Sequence, residues 1–526
     1  MTPFQLLKAL VWAPVLAVIS AALGLLFAAI LLLADYAVHM LAGIEQGAVS
    51  HGVETFARGL PIVLGIGGLF AAFLSEHTAR SVFGSARWAK TAELNVLKAK
   101  GSTGLIVGRD PDSRALLRYD GPSHLITMAP TRTGKGVGTI IPNLLMVDRS
   151  IICVDPKGEN ARIAGSARVG FGPVYYLDPF GVSECPSSAF NPFSDLDPND
   201  PDIAEDAGML ADALVFDEPG TTGDVHWNEE AKALIAGLIL MIMVTEPPHA
   251  RHPATLRDYL TRSPQAFAEL LEKMQMMGEC DGLIARAANR HLGKSDREAS
   301  GVLSSAQRHT HFLDSRRMKA VMQRSDFAFA DLKSRVGSVF LVLPPDRLSM
   351  GSRWLRLLVT QSLMVFARDR RGPSGAPVLF LLDEFAALGR LTALERAMGL
   401  MAGYGVQLWP ILQDIHQLRS TYGKSANTFL SNAAILQVFG VNDIDTAELM
   451  ARTIGKTDVD YRTRSFSEGK VSSSEHVAAR DLINADEIMR LPDDTMILLR
   501  QGQRPARATK LRYHADPEFR GLFDPG

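Results

Sequence analysis

Cysteine is scarce in this 526-residue chain. Its three cysteines, Cys153, Cys185 and Cys280, are far apart, odd in number and without metal-ligand spacing. That argues against a disulfide framework and fits a reducing compartment. Cys153 lies inside an apolar run and reads as a buried core thiol. An excess of one charge sign is also lacking. Charged residues are 21% of the chain and the formal net charge is −2. A uniformly basic nucleic-acid coat is therefore excluded, although a basic patch lining a groove or pore is not. The length leaves room for several domains of roughly 100–200 residues.

A complete phosphate-loop signature is missing too. The stretch Leu125-Ile-Thr-Met-Ala-Pro-Thr-Arg-Thr-Gly-Lys-Gly-Val-Gly138 has Ala129 where a first glycine belongs. It has Gly136 where Ser or Thr would ligate Mg²⁺. The remaining pattern is nonetheless that of a phosphate cradle. Leu125 to Met128 reads as a buried strand. Thr131, Arg132, Thr133, Gly134 and Lys135 form the loop, and Gly136 and Val137 open an apolar helix. Backbone N–H groups and the positive end of that helix would face an anion, with Lys135 reaching the β- and γ-phosphates. A glycine-containing turn in any α/β domain is the alternative, so the stretch needs a second element.

Val378 to Leu382 supplies it: five apolar residues closed by Asp383-Glu384. This is a Walker B pattern, a strand buried on both faces whose terminal carboxylates emerge beside the loop. Asp383 would hold Mg²⁺, directly or through water, and Glu384 would orient and deprotonate the attacking water. Two further strands end in polar groups. Ser150 to Asp155 places Asp155 at the ligand edge of a parallel sheet, unless it is simply the turn residue before Pro156. Val406 to Leu412 ends at Gln413-Asp414, where Gln413 can sense the γ-phosphate or the water and Asp414 is the natural helix cap. The loop and Walker B together predict an ATPase.

Around this α/β core, other segments differ in character. Val11 to Leu33 is almost wholly apolar and exceeds the ~20 residues a membrane-spanning helix needs. It is also too long for the roughly 7–15-residue core of a cleaved signal peptide. A second block, Leu60 to Leu74, extended upstream through Phe56 and Val53, carries Gly59, Gly65, Gly67 and Gly68. Lys8, Arg80, Arg87 and Lys90 flank the pair, and Ala34 to Ala57 between them carries Asp35, Glu45 and Glu54 and no Lys or Arg, so the N-terminus and the body are expected in the cytoplasm. From about Asp195 the strand pattern gives way to helices, the longest from Trp227 to Met243. Basic residues gather there: Arg286, Arg290, His291, Lys294, Arg297, Arg308, Arg316, Arg317 and Lys319. They read first as a solvated face and second as a surface for nucleic acid or an acidic partner. Lys456 to Ala478, polar and Ser-rich, reads as an exposed mobile loop. Arg480 to Arg490 is expected to be helical, and the late strand Met496 to Arg500 to lie antiparallel at a sheet edge.

With these motifs in hand, the chain resembles the type IV secretion coupling proteins, the TraG-type conjugal-transfer coupling ATPases. The residues carrying the likeness are Gly84-Ser-Ala-Arg-Trp-Ala89, the variant loop Ala129–Gly138 and Val154-Asp-Pro-Lys-Gly-Glu159. Leu382-Asp-Glu-Phe385 and Gly403-Tyr-Gly405 through Gln413-Asp414 belong to it as well. It runs from about Met1 to Tyr513. The resemblance implies a membrane anchor over 1–80 with spans near 11–33 and 56–74. It implies a RecA-like nucleotide-binding domain over 81–194 and 328–526, with an all-α domain over 195–327 inserted in it. It further implies ATP and Mg²⁺ as cofactors, nucleotide roles for Lys135, Asp383, Glu384 and Gln413, and a cytoplasmic ring, hexameric when assembled, at a bacterial inner membrane. Its expected partners are the secretion channel, a relaxase with its single-stranded DNA, and effector proteins. The arginine finger is left unassigned, Arg396 and Arg419 being the arginines that flank the Gln413 region. The Mg²⁺ ligand that replaces the loop Ser/Thr stays open among Thr133, Thr139 and water.

Overall fold

The computed structural model describes residues 82–98, 101–216, 225–369, 375–467 and 470–525. It also describes 18–19, 21–30, 33–34, 36–38, 40, 59 and 63–64. The chain divides into two compact units. One joins Met1–Ser85 with Asp458–Ala479, and the other joins Ala86–Thr457 with Arg480–Gly526.

The larger unit is built on a sheet. In chain order its strands are β1 (Leu105–Arg109), β2 (Leu116–Tyr119), β3 (His124–Met128), β4 (Ile151–Asp155), β5 (Val174–Leu177) and β6 (Ser338–Val342), followed by β7 (Val378–Leu382), β8 (Val406–Leu412) and β9 (Ala433–Val438). A separate pair, β10 (Lys456–Ser467) and β11 (Lys470–Asp481), comes next, and β12 (Thr495–Arg500) and β13 (Ala506–Thr509) return to the main sheet. Its order is β2-β1-β13-β12-β9-β3-β8-β7-β4-β6-β5. From β9 to β5 every pairing is parallel, and from β9 to β2 every pairing is antiparallel.

The parallel half follows from the apolar runs. β3, β4, β6, β7 and β8 are buried along their whole length, as strands covered on both faces must be. Alternate residues feed two cores. Ile152 and Val154 of β4, with Phe380 and Leu382 of β7, face the core beneath the helices Ile203–Leu214, Val225–Thr245 and Leu348–Arg368. Ile151, Cys153, Leu379 and Leu381 face the other, beneath Ile141–Met146 and Glu159–Val169. Cys153 is thus the buried core thiol its sequence context predicts.

The helical block consists of Ile203–Leu214, Val225–Thr245, Pro253–Leu260, Pro264–Gln275, Leu283–Leu292, Asp296–Thr310 and Arg316–Ala320. Ser263, Ser295 and Ser315 cap three of these, each accepting an N–H of its helix's first turn. The block shares the first core with the sheet, since Leu234, Ile235 and Leu238 are buried in it.

A fully buried arginine ties the second core to the phosphate-loop helix. Arg168 donates to Ser338 Oγ (2.7 Å) and to the carbonyls of Val147 (2.6 Å), Arg149 (2.6 Å) and Leu144 (3.5 Å). It therefore satisfies carbonyls at the C-terminal end of helix Ile141–Met146 that no later turn reaches.

His124 begins β3 and fixes its register. Its Nδ1 accepts the Leu408 N–H (3.0 Å), which leaves Nε2–H to donate to the Ala397 carbonyl (3.2 Å). Burial lowers its pKa from 6.5 to about 4. The fold therefore favours neutral imidazole. The resulting stability is complete above pH 6.5 and is lost as pH falls from 6.5 towards 4, where the unfolded chain binds the extra proton. That window is worth up to about 3 kcal/mol. Denaturant midpoints measured from pH 7 to pH 4.5 are expected to fall, and to fall less steeply in His124→Gln. Equal slopes would remove His124 as a cause.

Three expectations change. Lys456 to Ala478 is not a loop: β10 and β11 pair as a two-stranded sheet. β-branched and aromatic residues at alternate positions, Thr457, Val459 and Tyr461, suit a strand, and Tyr461 stacks on His476 at 5.3 Å. β12 is antiparallel, as expected, but lies inside the sheet between β9 and β13. β13 beside it and β2 at the sheet's edge are too short and mixed in polarity to stand out in sequence. The helix expected over Arg480–Arg490 shrinks to Ala485–Met489, where Asn484 and Glu487 form a capping box.

In the smaller unit, the Asp458 carboxylate accepts the backbone N–H groups of Val82 (2.6 Å), Phe83 (2.9 Å) and Gly84 (2.9 Å). The spans expected near 11–33 and 56–74 lie largely outside the described residues. Residues 21–30 are helical, with Leu23, Leu25 and Leu26 exposed. Among the described residues, no helix is long and apolar enough to cross a membrane.

Candidate active site

Four adjacent parallel strands, in the order β3-β8-β7-β4, bring their carboxyl ends to one edge. In an open α/β sheet this is where ligands bind. β3 delivers the loop 129–135, β8 delivers Gln413, β7 delivers Asp383 and Glu384, and β4 delivers Asp155.

The loop turns through two left-handed residues, Arg132 (φ 66°) and Gly134 (φ 93°). Only glycine adopts the second without strain. A single π-helical turn, Gly136–Ile140, then leads into helix Ile141–Met146. Gly138 is required for space, because a Cβ there would lie 2.8 Å from the Leu511 carbonyl. The C-terminal segment thus packs against the back of the loop, and Lys510 Nζ donates to the Thr133 carbonyl at 2.8 Å.

Thr131, Arg132, Gly134, Lys135, Gly136 and Val137 line a cleft of about 430 Å³. Asp155, Asp383 and Glu384 line its opposite side. Lys135 Nζ stands 3.5 Å from Asp383 Oδ1 and 3.4 Å from Glu384 Oε2. Gln413 Nε2 donates to the other oxygen of Glu384 at 3.1 Å. The two halves of the motif, remote in sequence, meet in one ion-paired cluster. Burial raises the pKa of Asp383. It pushes Asp155 up to about 7, against the N–H of Ala161 that the carboxylate accepts at 2.8 Å.

Thr133 and Gln413 do not line the cleft. The Thr133 hydroxyl donates to the Pro130 carbonyl (2.7 Å), and its side chain fills the space beside Gly440. Thr139 is buried and donates to Gln437 Oε1 at 3.2 Å. Both hydroxyls are therefore committed elsewhere, and among the described residues Thr131 is the one hydroxyl residue on the cleft wall. Asp414 caps helix Ile415–Tyr422 through the Gln417 N–H, which leaves Gln413 free to meet Glu384.

Sequence reasoning passed over Lys157, Glu159 and Asn160 on the cleft and Lys510 behind the loop. The first three sit one turn beyond a strand end flanking Walker B, which was the available signal.

A family model described as type IV secretory system conjugative DNA transfer matches residues 78–522. The chain belongs to that family. Within the conjugative DNA transfer family, the conjugal transfer protein TraG of Escherichia coli is 30% identical over 463 residues, covering 80% of this chain and 72% of TraG. Protein VirD4 of Rhizobium rhizogenes is 26% identical over 511 residues, covering 90% and 72%. The fold is shared with the bacterial conjugative coupling protein TrwBdeltaN70, at a TM-score of 0.62 and 18% identity over 85% of this chain and 98% of that one. TrwB has been solved with a non-hydrolysable ATP analogue and with ADP and Mg²⁺. The conjugative DNA transfer chain described here is accordingly an α/β protein that shares the parallel-sheet fold of TrwB.

The basic cluster of the helical block is largely occupied. Arg290 and Lys294 pair with Glu230 (2.7 and 2.8 Å) and Lys319 with Asp258 (3.6 Å). Arg286 and Arg317 donate to the carbonyls of Asp281 and Phe180.

Proposed function

We propose that this protein is a coupling ATPase of a type IV secretion system, anchored in the bacterial inner membrane. It recruits relaxase-bound single-stranded DNA, effector proteins or both, and couples ATP hydrolysis to their export through the secretion channel. The observation that carries this reading is the cluster of Lys135, Asp383, Glu384 and Gln413 at one sheet edge.

In this reading the loop 131–137 cradles the phosphates and Lys135 leaves the carboxylates to bind them. Asp383 holds Mg²⁺. Neither Thr133 nor Thr139 lines the cleft, so Asp383 and water would hold the ion, which suits one that keeps several waters. Glu384 takes the proton of the attacking water, and Gln413 orients Glu384. Asp155 holds the β4 turn that closes the cleft. The subunits assemble as a hexamer, with the helices of 195–327 forming a distinct module on the nucleotide domain. The spans near 11–33 and 56–74 anchor the ring, with the N-terminus and the body cytoplasmic. The exposed leucines of helix 21–30 support that anchor.

A second reading is a membrane receptor for secreted proteins in which ATP serves assembly or gating. The internal pairing of the helical block's basic residues favours it, because they offer little free charge to DNA. Turnover measured with and without single-stranded DNA separates the two. The first expects stimulation that fades steeply as salt rises, since phosphate contacts release counterions. DNA-independent turnover with salt-insensitive binding of a relaxase or effector tail would favour the second.

A further inference from the structure

One cation on the cleft has no role in the mechanism above. Lys157 follows Asp155 by two residues, is exposed, and lines the same cleft as Lys135. Its ammonium has no hydrogen-bond or ion-pair partner among the described residues.

The turn that carries it is held on three sides. Pro156 before it is buried. Asp155 accepts backbone N–H groups of this turn, those of Lys157 and Asn160 among them, and that of Ala161 at 2.8 Å. Gly158 after it adopts φ 65°, where a Cβ would lie 2.8 Å from the Ser183 backbone nitrogen. The backbone is therefore fixed while the ammonium is free. That is unusual for a structural lysine and suits one that waits for an anion.

Its place in the sheet says which anion. β4 neighbours β7, with Val154 opposite Leu382, so Lys157 borders the end of the cleft that holds Asp383 and Glu384. Lys135 approaches that end from the other side. Acids outnumber the lysines there: Asp155, Glu159, Asp383 and Glu384 all line the cleft. A nucleotide triphosphate brings more negative charge to this end, and the other cations on the cleft, Arg132 and Lys135, both come from the loop that follows β3.

We propose that Lys157 is a second phosphate-binding cation that contacts the terminal phosphate of the bound nucleotide, across the cleft from Lys135, and so distinguishes triphosphate from diphosphate. The proposal rests on the nucleotide reading of the cleft.

The test is equilibrium binding of a non-hydrolysable ATP analogue and of ADP, each with Mg²⁺, to the full chain. Wild type, Lys157→Gln, Lys157→Arg and Lys135→Ala are compared. Lys157→Gln is expected to weaken the analogue about tenfold, the scale of one charge-assisted contact, and to change ADP less than about twofold. Lys157→Arg should recover most of the loss, because it keeps the charge. Lys135→Ala should weaken both nucleotides. Equal weakening of analogue and ADP in Lys157→Gln, or no weakening of either, overturns the proposal while leaving the nucleotide site intact. Failure of the wild type to bind either nucleotide overturns the underlying reading as well.

Discussion

Glu384→Gln is expected to lower ATP turnover by a factor on the order of 10²–10⁴, the range ascribed to a positioned general base, with nucleotide still bound. The substitution is nearly isosteric. Its amide oxygen can still accept from Gln413 Nε2, so the contact that places the side chain survives. What disappears is the capacity to take a proton from water and the charge 3.4 Å from Lys135. Lys135 then has only Asp383 as its carboxylate partner and is freer to meet phosphate. Affinity for ATP should hold or improve. Lys135→Ala should differ in kind, losing binding and turnover together. Single-turnover hydrolysis beside equilibrium binding reads both quantities. Near-normal turnover in Glu384→Gln would move the general base elsewhere, with Asp155 the next carboxylate on the cleft.

Arg168→Leu should cost about 3 kcal/mol or more of folding stability, a large share of the roughly 5–15 kcal/mol that holds a domain together. The leucine leaves the Arg149 carbonyl and the Ser338 hydroxyl without a donor in a buried site, and removes one of the two donors of the Val147 carbonyl. Each unsatisfied group costs about 1–3 kcal/mol. Relief from desolvation offsets part of this: burial lowers the guanidinium's pKa to about 10, yet it stays charged at neutral pH. Arg168→Lys should recover little, because one ammonium cannot reach acceptors spread over three segments. Denaturant unfolding measures the loss. A change below about 1 kcal/mol would show that water or backbone movement satisfies these groups instead.

Gln413 shows how far a local reading reaches. A polar residue ending an apolar strand is visible in sequence, and so is the Asp414 cap beside it. That Gln413 touches Glu384, 29 positions away, depends on β8 lying next to β7. Thr133 and Thr139 show the opposite case. Both are candidate Mg²⁺ ligands by spacing, but the Thr133 hydroxyl turns back to the Pro130 carbonyl of its own loop and that of Thr139 to Gln437 on β9. The basic cluster of the helical block follows the same logic, since Glu230 draws Arg290 from the helix Leu283–Leu292 and Lys294 from just beyond it, some 60 positions further on.

The sequence by itself determined the parallel core of the sheet, the loop 129–135 that follows β3 and the two carboxylates that close β7. Buried parallel strands must be continuous apolar runs, and the chemistry at their ends requires particular residue types within a few positions. Tertiary structure alone decided the antiparallel extension through β12, β13, β1 and β2, and the pairing of β10 with β11. It also decided the place of Lys157 on the cleft and of Lys510 behind the loop. These depend on which strands lie side by side, and such contacts between distant segments leave no local pattern in the chain.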